Sequence, residues 1–139
     1  MKSKRDTSPQ FRLDDFERIL DSLNALGSPA VVEGKRDTAA LRSLGYGGDI
    51  IELNDGKSIL STVEKLAQEL GTSGTFVIMT DWDRTGGRLA KQLKEYGESN
   101  DLIPNDRIRR ELAVASSKDI SCIEELPTLV RALKLVCDP

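Results

Sequence analysis

Thr75-Phe76-Val77-Ile78-Met79-Thr80-Asp81-Trp82-Asp83-Arg84-Thr85-Gly86-Gly87 is the stretch on which the reading of this chain turns. It begins as an apolar, β-branched run, the pattern of a strand buried on both faces. It then breaks into two carboxylates and two glycines. From Arg88 to Tyr96 the spacing becomes helical, with Leu89, Leu93 and Tyr96 on one side. In an extended segment residues two apart point the same way, so Asp81 and Asp83 face one side together. Like charges held side by side repel, and a hard divalent cation between them is the usual remedy. A solvated acidic turn after a strand is the plainer alternative. The rest of the chain decides against it.

Upstream, residues 1–8 are polar and read as a loose tail. Ser8-Pro9 fits an N-cap followed by proline in the first turn, and Leu13, Phe16, Ile19, Leu20, Leu23 and Leu26 form the apolar stripe of a helix over residues 9–27 that stops at Gly27. Pro29-Ala30-Val31-Val32 is a short strand ending in Glu33-Gly34-Lys35-Arg36-Asp37. Asp37 or Thr38 can cap a brief helix through Leu41 and Leu44, and Asp49 to Leu53 reads as a second strand. Asn54-Asp55-Gly56-Lys57 is a turn, and Ile59, Val63, Leu66 and Leu70 share a helical face closed by Gly71. This alternation predicts an α/β fold with parallel strands, its core over residues 29–97. Residues 98–139 read as a helical extension. There, Asn105 or Asp106 caps a helix carrying Ile108, Leu112 and Ala115, or a strand runs from Leu112 to Ala115. Ser121-x-x-Glu124 is a capping-box pattern opening a last helix, whose start Pro127 could shift.

A length of 139 residues suits one domain, residues 1–139. The net charge of −3 gives no global basic signature, so any affinity for nucleic acid must be local or act through metal. The two cysteines, Cys122 and Cys137, have no C-x-x-C spacing and read as reduced thiols of a cytoplasmic protein. The N-terminus lacks the apolar segment of a signal peptide, and no apolar run is long enough to span a membrane. Histidine is absent. Ser-His-Asp and Cys-His catalysis and histidine-bound zinc are thereby excluded, which leaves carboxylates, lysines, hydroxyls and a metal.

Two strands end in acid, at Glu33 and at Asp81-x-Asp83. In open parallel sheets ligands bind beyond the carboxyl ends of strands, where strand order reverses. If the first and third strands are neighbours, Glu33, Asp81 and Asp83 meet in one crevice. Gly34 and Gly86-Gly87 would allow backbone or phosphate to approach closely. Lys35, Arg36, Arg84 and Arg88 would bring positive charge to its rim. Arg84, Arg88, Lys91 and Lys94 lie broadly on one side of their helix, as a solvated face or as a surface tracking phosphates into the crevice.

The combination Val31-Val32-Glu33-Gly34 with Thr80-Asp81-x-Asp83-x-x-Gly86 resembles the Toprim domain of topoisomerases, primases, some nucleases and recombination proteins. The Glu-Gly-Lys-x-Asp form looks closest to the bacterial ribonuclease that matures 5S ribosomal RNA and to small, free-standing archaeal Toprim proteins. The resemblance covers roughly Ala30 to Leu93. It implies a Rossmann-like, mostly parallel sheet of about four strands in the order 2-1-3-4, flanked by helices, with an added N-terminal helix. It implies Mg²⁺ or Mn²⁺ held by Asp81 and Asp83, with Glu33 as a further ligand or as general acid or base in phosphodiester chemistry. Gly86, Lys35, Arg36, Arg84, Arg88 and Lys91 would then serve phosphate or nucleic-acid binding. Trp82 lies where many relatives carry a smaller residue, and it either stacks on a base or packs beneath a helix. The expected partner is RNA or single-stranded DNA. The alternatives are a non-catalytic metal-binding subunit of a processing complex and a metal-dependent enzyme acting on nucleotides. The sequence does not set the oligomeric state.

Overall fold

The structure is a computed structural model that describes residues 7–116 and 118–138. Most of the tail expected over residues 1–8 therefore lies outside the described residues. Helix α1 (Pro9–Leu26) starts where the local signals put it. The Ser8 hydroxyl accepts from the Phe11 N–H, and Gly27 ends the helix in the left-handed region at φ 64°. Strand β1 (Ala30–Val32), helix α2 (Lys35–Ser43), strand β2 (Ile50–Glu52), helix α3 (Ile59–Leu70), strand β3 (Thr75–Ile78) and helix α4 (Arg84–Ser99) follow in the expected alternation. Strand β4 (Ile103–Asn105), helix α5 (Arg107–Ala115), a 3₁₀ turn (Ile123–Glu125) and helix α6 (Leu126–Cys137) complete the chain.

The four strands form one all-parallel sheet in the order β2-β1-β3-β4, as the alternation and the resemblance imply. Strands β1 and β3 are neighbours, with Ala30 opposite Val77 and Val31 opposite Ile78. Side chains alternate between two cores. Ala30, Val32, Val77 and Met79 point to the face covered by α1, α2, α5 and α6, among Phe16, Ile19, Leu23, Leu41, Ile108 and Leu112. Val31, Phe76 and Ile78 point to the face covered by α3 and α4, among Val63, Leu66 and Leu93. A large apolar side chain fully removed from water contributes about 1.5–3 kcal/mol, so covering both faces is what holds three-residue strands in place. No helix among the described residues is long and apolar enough to cross a membrane.

Four local expectations need correction. Helix α2 begins three residues before Thr38, because Gly34 is its N-cap and the Asp37 carboxylate turns back to accept the Gly34 N–H at 3.1 Å. Helix α4 begins at Arg84 rather than Arg88, because Asp83 itself caps it by accepting the Gly86 N–H at 2.7 Å. Residues 107–115 are helical, and the fourth strand lies just before them at residues 103–105, within the stretch read as a helical extension. Its brevity and Pro104 hide it, since an edge strand of three residues has no readable period. The Ser121/Glu124 capping box does not form. Helix α6 starts at Leu126 without a side-chain cap, with Pro127 in its first turn, and the Ser121 carbonyl instead accepts the Trp82 N–H at 2.9 Å.

Candidate metal and nucleic-acid site

The carboxyl ends of β1 and β3 lie side by side, which brings Glu33 to the chain just past Thr80. Glu33 Oε2 accepts the Asp81 backbone N–H at 2.8 Å. Asp81 Oδ1 accepts the Ile123 N–H at 2.9 Å, and Asp83 Oδ1 is spent on the cap of α4. An open crevice of about 420 Å³ at this edge is lined by Glu33, Asp81, Gly34, Lys35, Arg36, Asp37, Asn54 and Glu124. Asp83 does not line it; it stands exposed beside it at the start of α4. Lys35 and Arg36 thus share the crevice with the acids, and Arg36 pairs with Glu124 at 3.5 Å across its rim. Both partners of that pair are well exposed, so the bond is a weak one. Arg84, Arg88, Lys91 and Lys94 lie exposed along α4 and form no ion pair with any described residue.

Crowding leaves an electrostatic mark. Burial, opposed by the Ile123 N–H but reinforced by the charges of Glu33 and Asp83, pushes the Asp81 carboxyl up to about 6. Asp37 is raised as well, first by burial and then by Asp81. The repulsion at Asp81 was foreseen from the Asp-x-Asp spacing, but the sequence reading treated Asp37 only as a helix cap. The Glu33-x-x-x-Asp37 spacing across a strand end and one helical turn was the available signal.

The same edge carries a cation that sequence reasoning missed as part of the site. Arg109 turns inward from α5. Its Nε and Nη2 donate to the Asp81 carbonyl at 3.2 and 2.7 Å, and Nε also reaches the Thr80 carbonyl at 3.0 Å. Behind it, the Thr80 hydroxyl donates to the Gly86 carbonyl at 2.8 Å, which closes the turn between β3 and α4. Gly86 is required by that closure. A Cβ there would stand 1.8 Å from the Asp81 carbonyl oxygen. The close approach foreseen at this glycine is therefore to the chain's own backbone.

Trp82 does not stand free in the crevice. Its indole packs against the α1/α6 side of the core, its Nε1 donates to the Ile120 carbonyl at 2.9 Å, and its backbone N–H donates to Ser121. With the Ile123 amide on Asp81, these bonds tie residues 120–123 to the acidic turn as a strap. Trp82→Phe keeps the packing but orphans the Ile120 carbonyl, so it should cost about 1 kcal/mol and lower the melting temperature by a few degrees. A Phe variant that melts with wild type would show that the indole N–H holds nothing.

Among the described residues, no group of three His, Cys, Asp or Glu side chains is placed to hold a metal ion. The donor chemistry nevertheless fits a hard divalent cation. All the carboxylate donors are oxygens, Glu33, Asp37, Asp81 and Glu124 line one crevice, and burial, with the charges of Glu33 and Asp83, holds Asp81 closer to neutrality than a solvated aspartate. In this conformation Glu33, Asp81 and Asp83 each have one oxygen committed to a backbone N–H, which keeps them from gathering on one point.

A four-stranded parallel sheet with a Glu at the end of β1 and Asp-x-Asp after β3 defines a class, and the chain belongs to it: the Toprim domain family matches residues 28–114, from before β1 to the end of α5. Toprim domains bind divalent metals and act in metal-dependent nucleic-acid processing. Among curated relatives, the UPF0292 protein of Methanosarcina barkeri is 40% identical over 127 residues, covering 89% of this chain and 86% of its own. The UPF0292 protein of Thermococcus onnurineus is 36% identical over 124 residues, covering 89% and 90%. A solved structure of a protein from Aquifex aeolicus superposes with a TM-score of 0.66 at 25% identity, covering 79% of this chain and 96% of that one. The resemblance to small, free-standing archaeal Toprim proteins thus extends across nearly the whole chain.

Proposed function

We propose that this chain is an Mg²⁺- or Mn²⁺-dependent nuclease that cleaves phosphodiester bonds of RNA or single-stranded DNA. The observation that carries this reading is the meeting of Glu33 and Asp81 at the carboxyl edge of β1 and β3, with Asp83 beside them, in a chain that has no histidine. Asp81 and Asp83 would hold the ion, which supplies positive charge to a phosphoryl group and lowers the pKa of a water. Glu33, facing the same crevice, is the group able to take the proton of an attacking water or return one to the leaving oxygen. The exposed cations Arg84, Arg88 and Lys91 on α4, with Lys35 and Arg36 across the crevice, give a polyanion a path over the acids. Gly86 serves this reading by shaping the turn.

The test is incubation of the pure protein with labelled RNA and DNA pools, with and without Mg²⁺ or Mn²⁺. Cleavage should require metal. Glu33→Gln should abolish turnover and keep most of the metal affinity, whereas Asp81→Asn and Asp83→Asn should lose both. A fully active Glu33→Gln removes Glu33 from the mechanism, and cleavage of neither pool by the wild type removes the nuclease. A second reading is a metal- and nucleic-acid-binding subunit that needs a protein partner to become active. It is favoured by the conformation itself, in which the acids are turned to backbone amides rather than to one point. Metal binding and retention of labelled RNA without cleavage would be its signature. A nucleotide-hydrolysis screen addresses action on small phosphate compounds.

A further inference from the structure

Strand β4 runs into α5 through Asp106 alone, so the first turns of α5 stand at the same sheet edge as the acids. Ile108 and Leu112 are fully buried and anchor the helix to the core. That anchoring fixes where Arg109 points. Its guanidinium is directed at the carbonyls of Thr80 and Asp81 by three contacts of 2.7 to 3.2 Å. Nη2 also comes within 3.8 Å of where a Cβ on Gly87 would stand, directly under the start of α4. The charges facing it are Asp106 on its own element and Asp81, Asp83 and Glu33 from the acidic edge.

We propose that Arg109 is the positioning residue of this site: by clamping the two carbonyls at the end of β3 it fixes the backbone that presents Asp81 and Asp83 to a divalent cation. The inference rests on the metal-binding reading above and adds a residue outside the acidic motif. Two opposed effects act at Arg109. A cation beneath the acids repels an incoming metal ion, which by itself would weaken binding. A planar fork on two adjacent carbonyls, which have no other side-chain partner among the described residues, holds the acids' backbone in one conformation, and lost preorganisation weakens binding in the opposite comparison. The clamp dominates, because the acids are joined to the clamped peptide directly, whereas the guanidinium charge is directed at carbonyls rather than at the crevice.

The two effects predict opposite signs, so substitution separates them. Arg109→Gln removes charge and fork; Arg109→Lys keeps the charge but cannot span both carbonyls. The first measurement needs no metal: amide hydrogen exchange over residues 80–87 in EDTA should become severalfold faster in both variants, with β1 amides unchanged. The second is Mn²⁺ titration followed by electron paramagnetic resonance, where both variants should bind at least tenfold more weakly than wild type. Far-UV circular dichroism checks that each folds, and if Gln does not, Lys carries both measurements. Exchange at the wild-type rate overturns the clamp. So does full recovery of binding by Lys, or tighter binding by Gln, since either makes the charge the whole effect. Failure of the metal reading looks different: wild type and Asp83→Asn would then bind no Mn²⁺, and the role given to Arg109 falls with it while the exchange result stands by itself.

Discussion

Gly86→Ala should unfold this protein more readily than any other single methyl group added to it, while Gly87→Ala, one residue on, should stabilise it. Both glycines are in the first turn of α4, where alanine is preferred to glycine by about 1 kcal/mol. Space separates them. A Cβ on Gly86 would lie 1.8 Å from the Asp81 carbonyl oxygen and 2.5 Å from its carbon, and these are backbone atoms with no rotamer to yield. Relief requires moving the strand end away from the helix, which breaks the Thr80–Gly86 bond and the Asp83 cap and pulls Asp81 off the Arg109 fork. The expected net cost is about 3 kcal/mol or more, and the site acids should lose metal binding with it. At Gly87 the same methyl would meet only Arg109 Nη2, at an ordinary 3.8 Å. There the helix preference should emerge as a gain of about 0.5–1 kcal/mol. Thermal melts of the two variants in EDTA decide the matter, and equal shifts would contradict the geometry of the turn.

Saturating Mg²⁺ or Mn²⁺ should raise the melting temperature of the wild type by on the order of 10 °C over EDTA. Ligand bound only by the folded state adds about 2.7 kcal/mol at a free concentration of 100 times its dissociation constant. Asp83→Asn should respond little. In EDTA it should match or exceed wild type, because one of the charges repelling Asp81 is gone. Controls in KCl of matched ionic strength remove general screening. The proton offers a second handle. Asp81 titrates at about 6 in the fold against an ordinary 3.8, so the folded state binds a proton more tightly than the unfolded chain. A carboxyl raised in this way favours folding as pH falls: its contribution is fully present below the ordinary value and lost as pH rises through the folded one. Lowering the pH from 7.5 to 5.5 should therefore raise the melting temperature in EDTA. In saturating metal the trend should flatten or reverse, because protons then compete with the ion. Identical responses of wild type and Asp83→Asn to metal would mean that the acids do not form a metal site.

The local signals read well where they are local. Ser8-Pro9 and Gly27 bracket α1, and the alternation of short apolar runs with helical stripes foretells the parallel sheet. Glu33 and Asp81 could be placed at strand ends before any coordinates, because a buried strand stops where the chain turns to charge. Where the reading slipped, a side chain was satisfying a backbone group that the sequence could not show to be open. Asp83 caps α4 six residues ahead of Leu89, where the apolar stripe begins, and in place of the Ser121/Glu124 box residues 123–125 form a 3₁₀ turn whose Ile123 N–H is given to Asp81. A fourth strand beside β3 was expected from the resemblance, but its place at residues 103–105 was not read, because a three-residue edge strand carries no period.

The sequence by itself therefore determined the alternation of strands and helices as far as α4 and the strand ends on which the acids stand, since each depends on hydrophobic spacing along a few residues, while the strand order followed from the resemblance to the Toprim family. Only the tertiary structure decided which groups surround those acids. Arg109 reaches Asp81 across 28 positions of sequence, the Ile123 amide across 42 and the Trp82 indole reaches Ile120 across 38. Periodicity says which side of an element faces the core. Whether a buried carbonyl or carboxylate finds its partner on another element depends on how the packed layers bring distant polar groups within about 3 Å of one another.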